Sequence, residues 1–134
     1  MFRPSFLNIL FFWVAKYLAL YIVLMFKNNN YALVKLNEIK NGGDLFYYLL
    51  IFLFLPVVVS ILFLAPMHYL FKLKNAIHFS FLVSFILLAE YFLYTWLASQ
   101  SNLANGLING AISVLFIVLF FFRHVSSIYK QKEI

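Results

Sequence analysis

Two charged residues, Lys16 and Glu90, stand inside long apolar runs of this chain. Each costs at least ~2.5–3.5 kcal/mol at mid-bilayer on insertion scales, so neither is retained without a reason. Mutual neutralisation supplies one. If their two helices run in the same direction, the levels of Lys16 and Glu90 differ by only ~6 Å. Side chains lean toward the helix N-terminus, which lowers Glu90 toward Lys16, and the flexible lysine stem covers the remainder. A buried Lys16–Glu90 pair, within one chain or between neighbouring chains, is therefore geometrically reasonable, and it supports two readings. One is a site that handles protons or cations, because a low dielectric makes the charge state of each group sensitive to the other. The other is a neutralising pair that fixes helix register. Asn8, Phe12, Ala15 and Ala19 share the helical face of Lys16, a partly polar surface of small residues that another helix could approach.

A second constellation opens the last apolar run. Gly106 and Gly110 form a GxxxG, and Asn105, Asn109 and Ser113 lie beside it at spacings of three and four. Glycines let helix backbones approach closely and amides hydrogen-bond across the contact, so the expected role of this face is helix association; a polar pore lining is the competing reading. Ser80, Ser84, Tyr91 and Thr95 line one face of the preceding run and make a second candidate seam. The histidines His68, His78 and His124 all fall near one membrane edge. Matched depth on separate helices is what a metal or haem needs, but interfacial anchoring produces the same placement. With no carboxylate beside them and no His-x-x-His or Glu-x-x-His spacing, they are weak metal candidates, and no cofactor is expected.

Other chemistries lack their parts. No cysteine is present, so disulfide frameworks, thiolate metal sites and thiol-exchange reactions are excluded. There is no glycine-rich phosphate loop and no acidic pair for a divalent cation, the acids being Glu38, Asp44, Glu90 and Glu133. No serine stands in a nucleophile-elbow context. An enzyme is not expected.

The elements that must position these groups are membrane helices. Of 134 residues, 66% are hydrophobic and only 10% charged, with a mean hydropathy of +0.97. A soluble domain is nearer half apolar and about a quarter charged, so lipid is the solvent here. Four runs, over 6–26, 45–71, 76–98 and 103–122, each reach the ~20 residues that cross the hydrocarbon. The fold class expected is therefore all-α: a polytopic integral membrane protein forming a single bundle of four transmembrane helices. Pro56 and Pro66 lie inside the second run and predict a bend there. The first run resembles a signal peptide in following Arg3, but it is longer than a typical signal core, and no small-x-small cleavage site follows. Between the first two runs, Ala32, Leu33, Leu36 and Ile39 fall at helical spacing opposite Lys35, Glu38 and Lys40, the pattern of a short amphipathic segment on the membrane surface.

The net charge of +6 sits at the ends of the apolar runs, where lipid phosphates and topology explain it without nucleic acid. With four spans, Arg3, Lys72, Lys74, Arg123, Lys130 and Lys132 share one side, against Lys27, Lys35 and Lys40 on the other. The positive-inside rule then places both termini in the cytoplasm, most simply of a bacterial inner membrane. The size is similar to that of small four-helix multidrug transporters, but those carry a carboxylate in the first span, where this chain has Lys16. Two functions follow. The first is an oligomerising or accessory membrane subunit, with other membrane proteins or its own copies as partners. Its analogues are membrane-perturbing or channel-forming effectors of bacterial defence and toxin–immunity modules. The alternative is a small proton- or ion-coupled transporter or channel using Lys16 and Glu90.

Overall fold

A computed structural model describes residues 3–29, 39–99 and 101–130, apart from the side chains at 48, 51, 52 and 98. Four helices account for nearly all of them, and no strand occurs among the described residues. α1 spans Phe6–Asn28, α2 Gly42–Leu70, α3 Ala76–Leu93 and α4 Leu103–Lys130; a π-helical turn, Tyr94–Ala98, extends α3. All four are long and apolar enough to cross a membrane. The protein is an all-α bundle of four candidate membrane spans.

Each helix begins where a short polar side chain takes over an orphan backbone donor. Ser5 accepts from the Asn8 amide, Asn41 from Asp44, Asn75 from Ile77 and His78, and Asn102 from Asn105. At α2 the cap is reciprocal, because Asp44 in the first turn also accepts from the Lys40 amide at 3.0 Å. α1 ends with Asn29 in the left-handed region, φ 50°, its N–H returned to the carbonyls of Met25 and Phe26. α2 passes through both Pro56 and Pro66 as one element, and the hydroxyl of Ser60 donates to the Pro56 carbonyl. The amphipathic segment expected over 32–40 lies largely outside the described residues; its last two, Ile39 and Lys40, are not helical.

Two boundaries differ from the sequence expectation. α2 starts at Gly42, one turn before the apolar run, because the Asn41 cap and Asp44 lengthen the helix into the polar zone. α4 runs to Lys130 instead of stopping at 122. Arg123 ends the hydrophobic run but not the helix, since Val125 and Ile128 still pack inward at helical spacing. The extension is bent: Phe121 leaves helical geometry at φ −117°, ψ 20°. Neither proline nor glycine stands there. The buried ring of Phe121 wedges against Phe71 at 4.4 Å and Phe12 at 5.8 Å, and the helix bends around it.

The core is aromatic. Phe12, Trp13 and Tyr17 on α1 are essentially sealed, flanked by Phe63 of α2, Tyr94 at the end of α3 and Phe121 of α4. α1 thus lies between α2 and α4, and α3 closes against α4. The contacts also define the two ends of the bundle. At one, Phe6 stacks on His68 at 4.2 Å, His124 meets the Phe71 carbonyl at 2.8 Å, and Tyr129 shares a hydrogen bond with Ser80 at 2.6 Å. At the other, Lys27 donates to Asn105 at 2.7 Å.

Candidate functional site

The charged groups of the apolar runs meet in the interior. Lys16 on α1 is 0% exposed and Glu90 on α3 is 1% exposed, so both are sealed from bulk solvent. Their side chains form an ion pair, with the ammonium donating to Glu90 Oε1. Among the described residues this is the one salt bridge. It is not left to Coulomb attraction alone. The Tyr17 hydroxyl and the Asn109 amide nitrogen each donate to Oε1 at 3.1 Å, and the Ser113 hydroxyl donates to Oε2 at 2.9 Å. Lys16 is in turn held over the face of the Tyr17 ring, 4.0 Å from its centroid, with the Trp13 ring at 5.3 Å. One carboxylate therefore ties α1, α3 and α4 together; from α2, Phe63 packs on Trp13.

Helical spacing explains why these groups converge. Asn109 and Ser113 are four residues apart on one face of α4, so a single carboxylate bridges both. Trp13 and Lys16 are three apart on α1, which puts the indole below the ammonium. A carboxyl group that accepts several hydrogen bonds at once in a dry interior fixes the helices that carry the donors in one register.

The end of α3 departs from ideal geometry beside this cluster. In this π turn Tyr94 and Thr95 are buried, and Trp96 and Leu97 face outward at 54% and 78% exposure. Thr95 Oγ1 has no hydrogen-bond partner and occupies the space that a Cβ on Gly106 would need, with the Tyr91 ring 2.7 Å from the same point. The side chains of Thr95 in the π turn and Tyr91 in α3 thus pack directly on Gly106 of α4. Trp13 Nε1 and Asn109 Oδ1 are also buried without partners.

The face anticipated on α4 is therefore divided. Gly106, Asn109 and Ser113 are buried against α3 of the same chain, so the contact they make is internal. Asn105 is engaged by Lys27. Gly110 alone looks away from the bundle, where a Cβ would meet nothing within 4 Å. Of the second seam, Tyr91 and Thr95 pack on Gly106 and Ser80 on Tyr129, while Ser84 is exposed. The histidines do not converge: His78 is exposed, His68 stacks on Phe6, and His124 bonds the end of α2. No group of three metal-ligating side chains occurs among the described residues.

Tyr17, Trp13 and the π turn are the parts that sequence reasoning missed. Tyr17 is adjacent to Lys16 and so 100° around the helix, off the face along which partners of Lys16 are sought. Trp13 does share that face, and its i−3 position was a usable signal. No family model, curated protein or solved structure matches the chain.

Proposed function

We propose that the chain is an accessory or oligomerising membrane subunit, a rigid bundle that works by lateral contact with other membrane-spanning helices. The observation that carries this reading is how fully the buried charges are engaged. Glu90 receives donors on both oxygens from α1 and α4, and Lys16 is enclosed by Glu90 and two aromatic rings. A carrier carboxylate must exchange its partners in every cycle, and each exchange here would undo contacts among three helices. The outward half of the GxxxG supplies a contact surface: Gly110 is a notch on α4, with Leu107, Ala111 and Val114 exposed around it. The same surface suits a membrane-perturbing oligomer of the kind used in bacterial defence or toxin–immunity modules, and the Lys/Arg bias favours cytoplasmic termini.

Native mass analysis after gentle extraction tests the proposal. The wild-type chain is expected in a complex with its own copies or with other membrane subunits, and Gly110→Leu is expected to leave a folded monomer. Recovery of the wild type as a solitary monomer under those conditions overturns it.

A second reading, a small proton- or ion-coupled transporter, rests on the unpartnered polar atoms around the pair: Trp13 Nε1, Thr95 Oγ1 and Asn109 Oδ1. Proton or cation flux in proteoliposomes that disappears in Glu90→Gln, with the fold intact, would establish it over the first.

A further inference from the structure

Phenylalanine is the commonest aromatic of this chain, yet the seam between the first half of α3 and the second half of α4 is built largely from small side chains. Val83 and Ser84 on α3 face Val114 and Val118 on α4, and the space they leave is a groove of about 230 Å³, closed toward one end by Tyr129. Its hydroxyls are already used: Ser84 donates to the Ser80 carbonyl at 2.9 Å, and Ser80 is bonded to Tyr129. What remains for an occupant is an apolar trough open to the lipid side. A groove of that volume takes a stretch of one hydrocarbon chain, whereas a helix could enter it only with single side chains.

The end of the bundle at which Tyr129 closes the groove is strongly basic. Lys130 directly follows Tyr129, and Lys72 and Lys74 stand in the turn that leads into α3. All three are exposed, and none has an acidic partner among the described residues. The only acids among the described residues are Asp44, which caps α2 at the opposite end, and Glu90, which is consumed in the core. Uncompensated lysines beside a chain-wide trough match the two parts of an anionic phospholipid in register with the bilayer.

We propose that the α3–α4 groove binds one acyl chain of an anionic phospholipid, whose phosphate is held at the membrane surface by Lys72, Lys74 and Lys130. The groove borders the contact surface around Gly110, sharing Val114 with it, and it needs no exchange in the Lys16–Glu90 cluster.

The test is lipid retention by the full chain, released from nanodiscs containing equal phosphatidylglycerol and phosphatidylcholine and weighed by native mass spectrometry. Wild type is expected to keep phosphatidylglycerol in preference to phosphatidylcholine. Ser84→Phe with Val118→Phe fills the trough from both helices without altering the surface around Gly110, and should abolish retention of either lipid. Lys74→Gln and Lys130→Gln leave the trough open, so they should keep binding but lose selectivity, by about fivefold for each lysine removed. Those lysines are exposed, so their variants remain informative if the double phenylalanine variant fails to fold. Equal retention of the two lipids by wild type overturns the proposal, as does unchanged selectivity in the lysine variants. Loss of a protein partner from a folded groove-filled variant, with lipid retention unchanged, also overturns it and assigns the groove to a helix.

Discussion

Replacing Glu90 by Gln preserves shape and removes charge, which leaves Lys16 buried without a counter-ion. Breaking a buried pair from one side costs about 3–5 kcal/mol, so Glu90→Gln is expected to melt well below wild type in detergent. Removing both charges, as Lys16→Met with Glu90→Gln, should recover a large part of that loss. The amide oxygen introduced on α3 would still face donors from Tyr17, Asn109 and Ser113. A double variant no more stable than the single one would show that the cluster is not held by charge. Thr95 offers the opposite case. Its hydroxyl is buried and unpartnered, so Thr95→Val should change stability by no more than about 1 kcal/mol in the unfavourable direction, and it has room to improve it. The pairing of Lys16 with Glu90 was legible because charge in an apolar run has few remedies. The roles of Tyr17 and Asn109 were not. Tyrosine and asparagine have many uses in membrane helices, and nothing local says which buried carboxylate they will serve.

At the level of the helix, the two glycines of the GxxxG separate two kinds of contact. Gly106 is filled from outside by Thr95 and Tyr91, so any side chain there must displace the π turn. Overpacking of this sort costs about 1–3 kcal/mol for small additions, and Gly106→Leu is expected to lose the folded state, seen as aggregation on size exclusion. Gly110→Leu meets open space and should melt within about 1 kcal/mol of wild type while changing the assembly state. Reversed outcomes at these positions would mean that the helix is rotated from its described orientation. Periodicity alone placed both glycines on one face, as it should, since four residues advance 400° and differ by 40°. That modest rotation is enough to put one against α3 and the other toward lipid. The π turn and the bend at Phe121 left no local mark, because each lies where buried side chains pack and not at a breaker residue.

For the molecule as a whole, hydropathy was sufficient to give the helix number and nearly all boundaries, since a bilayer imposes length and apolarity on any segment that spans it. Which helices touch was not written in the same way: α1 takes the central place because its Phe12, Trp13 and Tyr17 side fills the interior. The contacts put the α2–α3 turn and the α3–α4 turn at opposite ends. A single cysteine at Lys74 and another at Asn28 should therefore be labelled by impermeant reagents from opposite faces of the membrane, with Lys74 on the cytoplasmic side. The chain has no native cysteine to confuse the assay. Labelling of both from one side would require a different number of crossings.

The distance along the chain between the partners of the central ion pair, 74 residues, also sets an order of events during synthesis. At ~5–20 residues per second, the ribosome needs roughly 4–15 s to deliver Glu90 after Lys16, and longer to deliver Asn109 and Ser113. For that interval the first helix holds a lysine without its partner, since the one acid on α1 or α2 is Asp44, in the cap of α2. Nascent α1 must therefore wait beside the insertion machinery, or at the lipid headgroups with its lysine extended toward them. A chain arrested before α3 emerges should be retained there and degraded, whereas one arrested after Ser113 has everything it needs to leave.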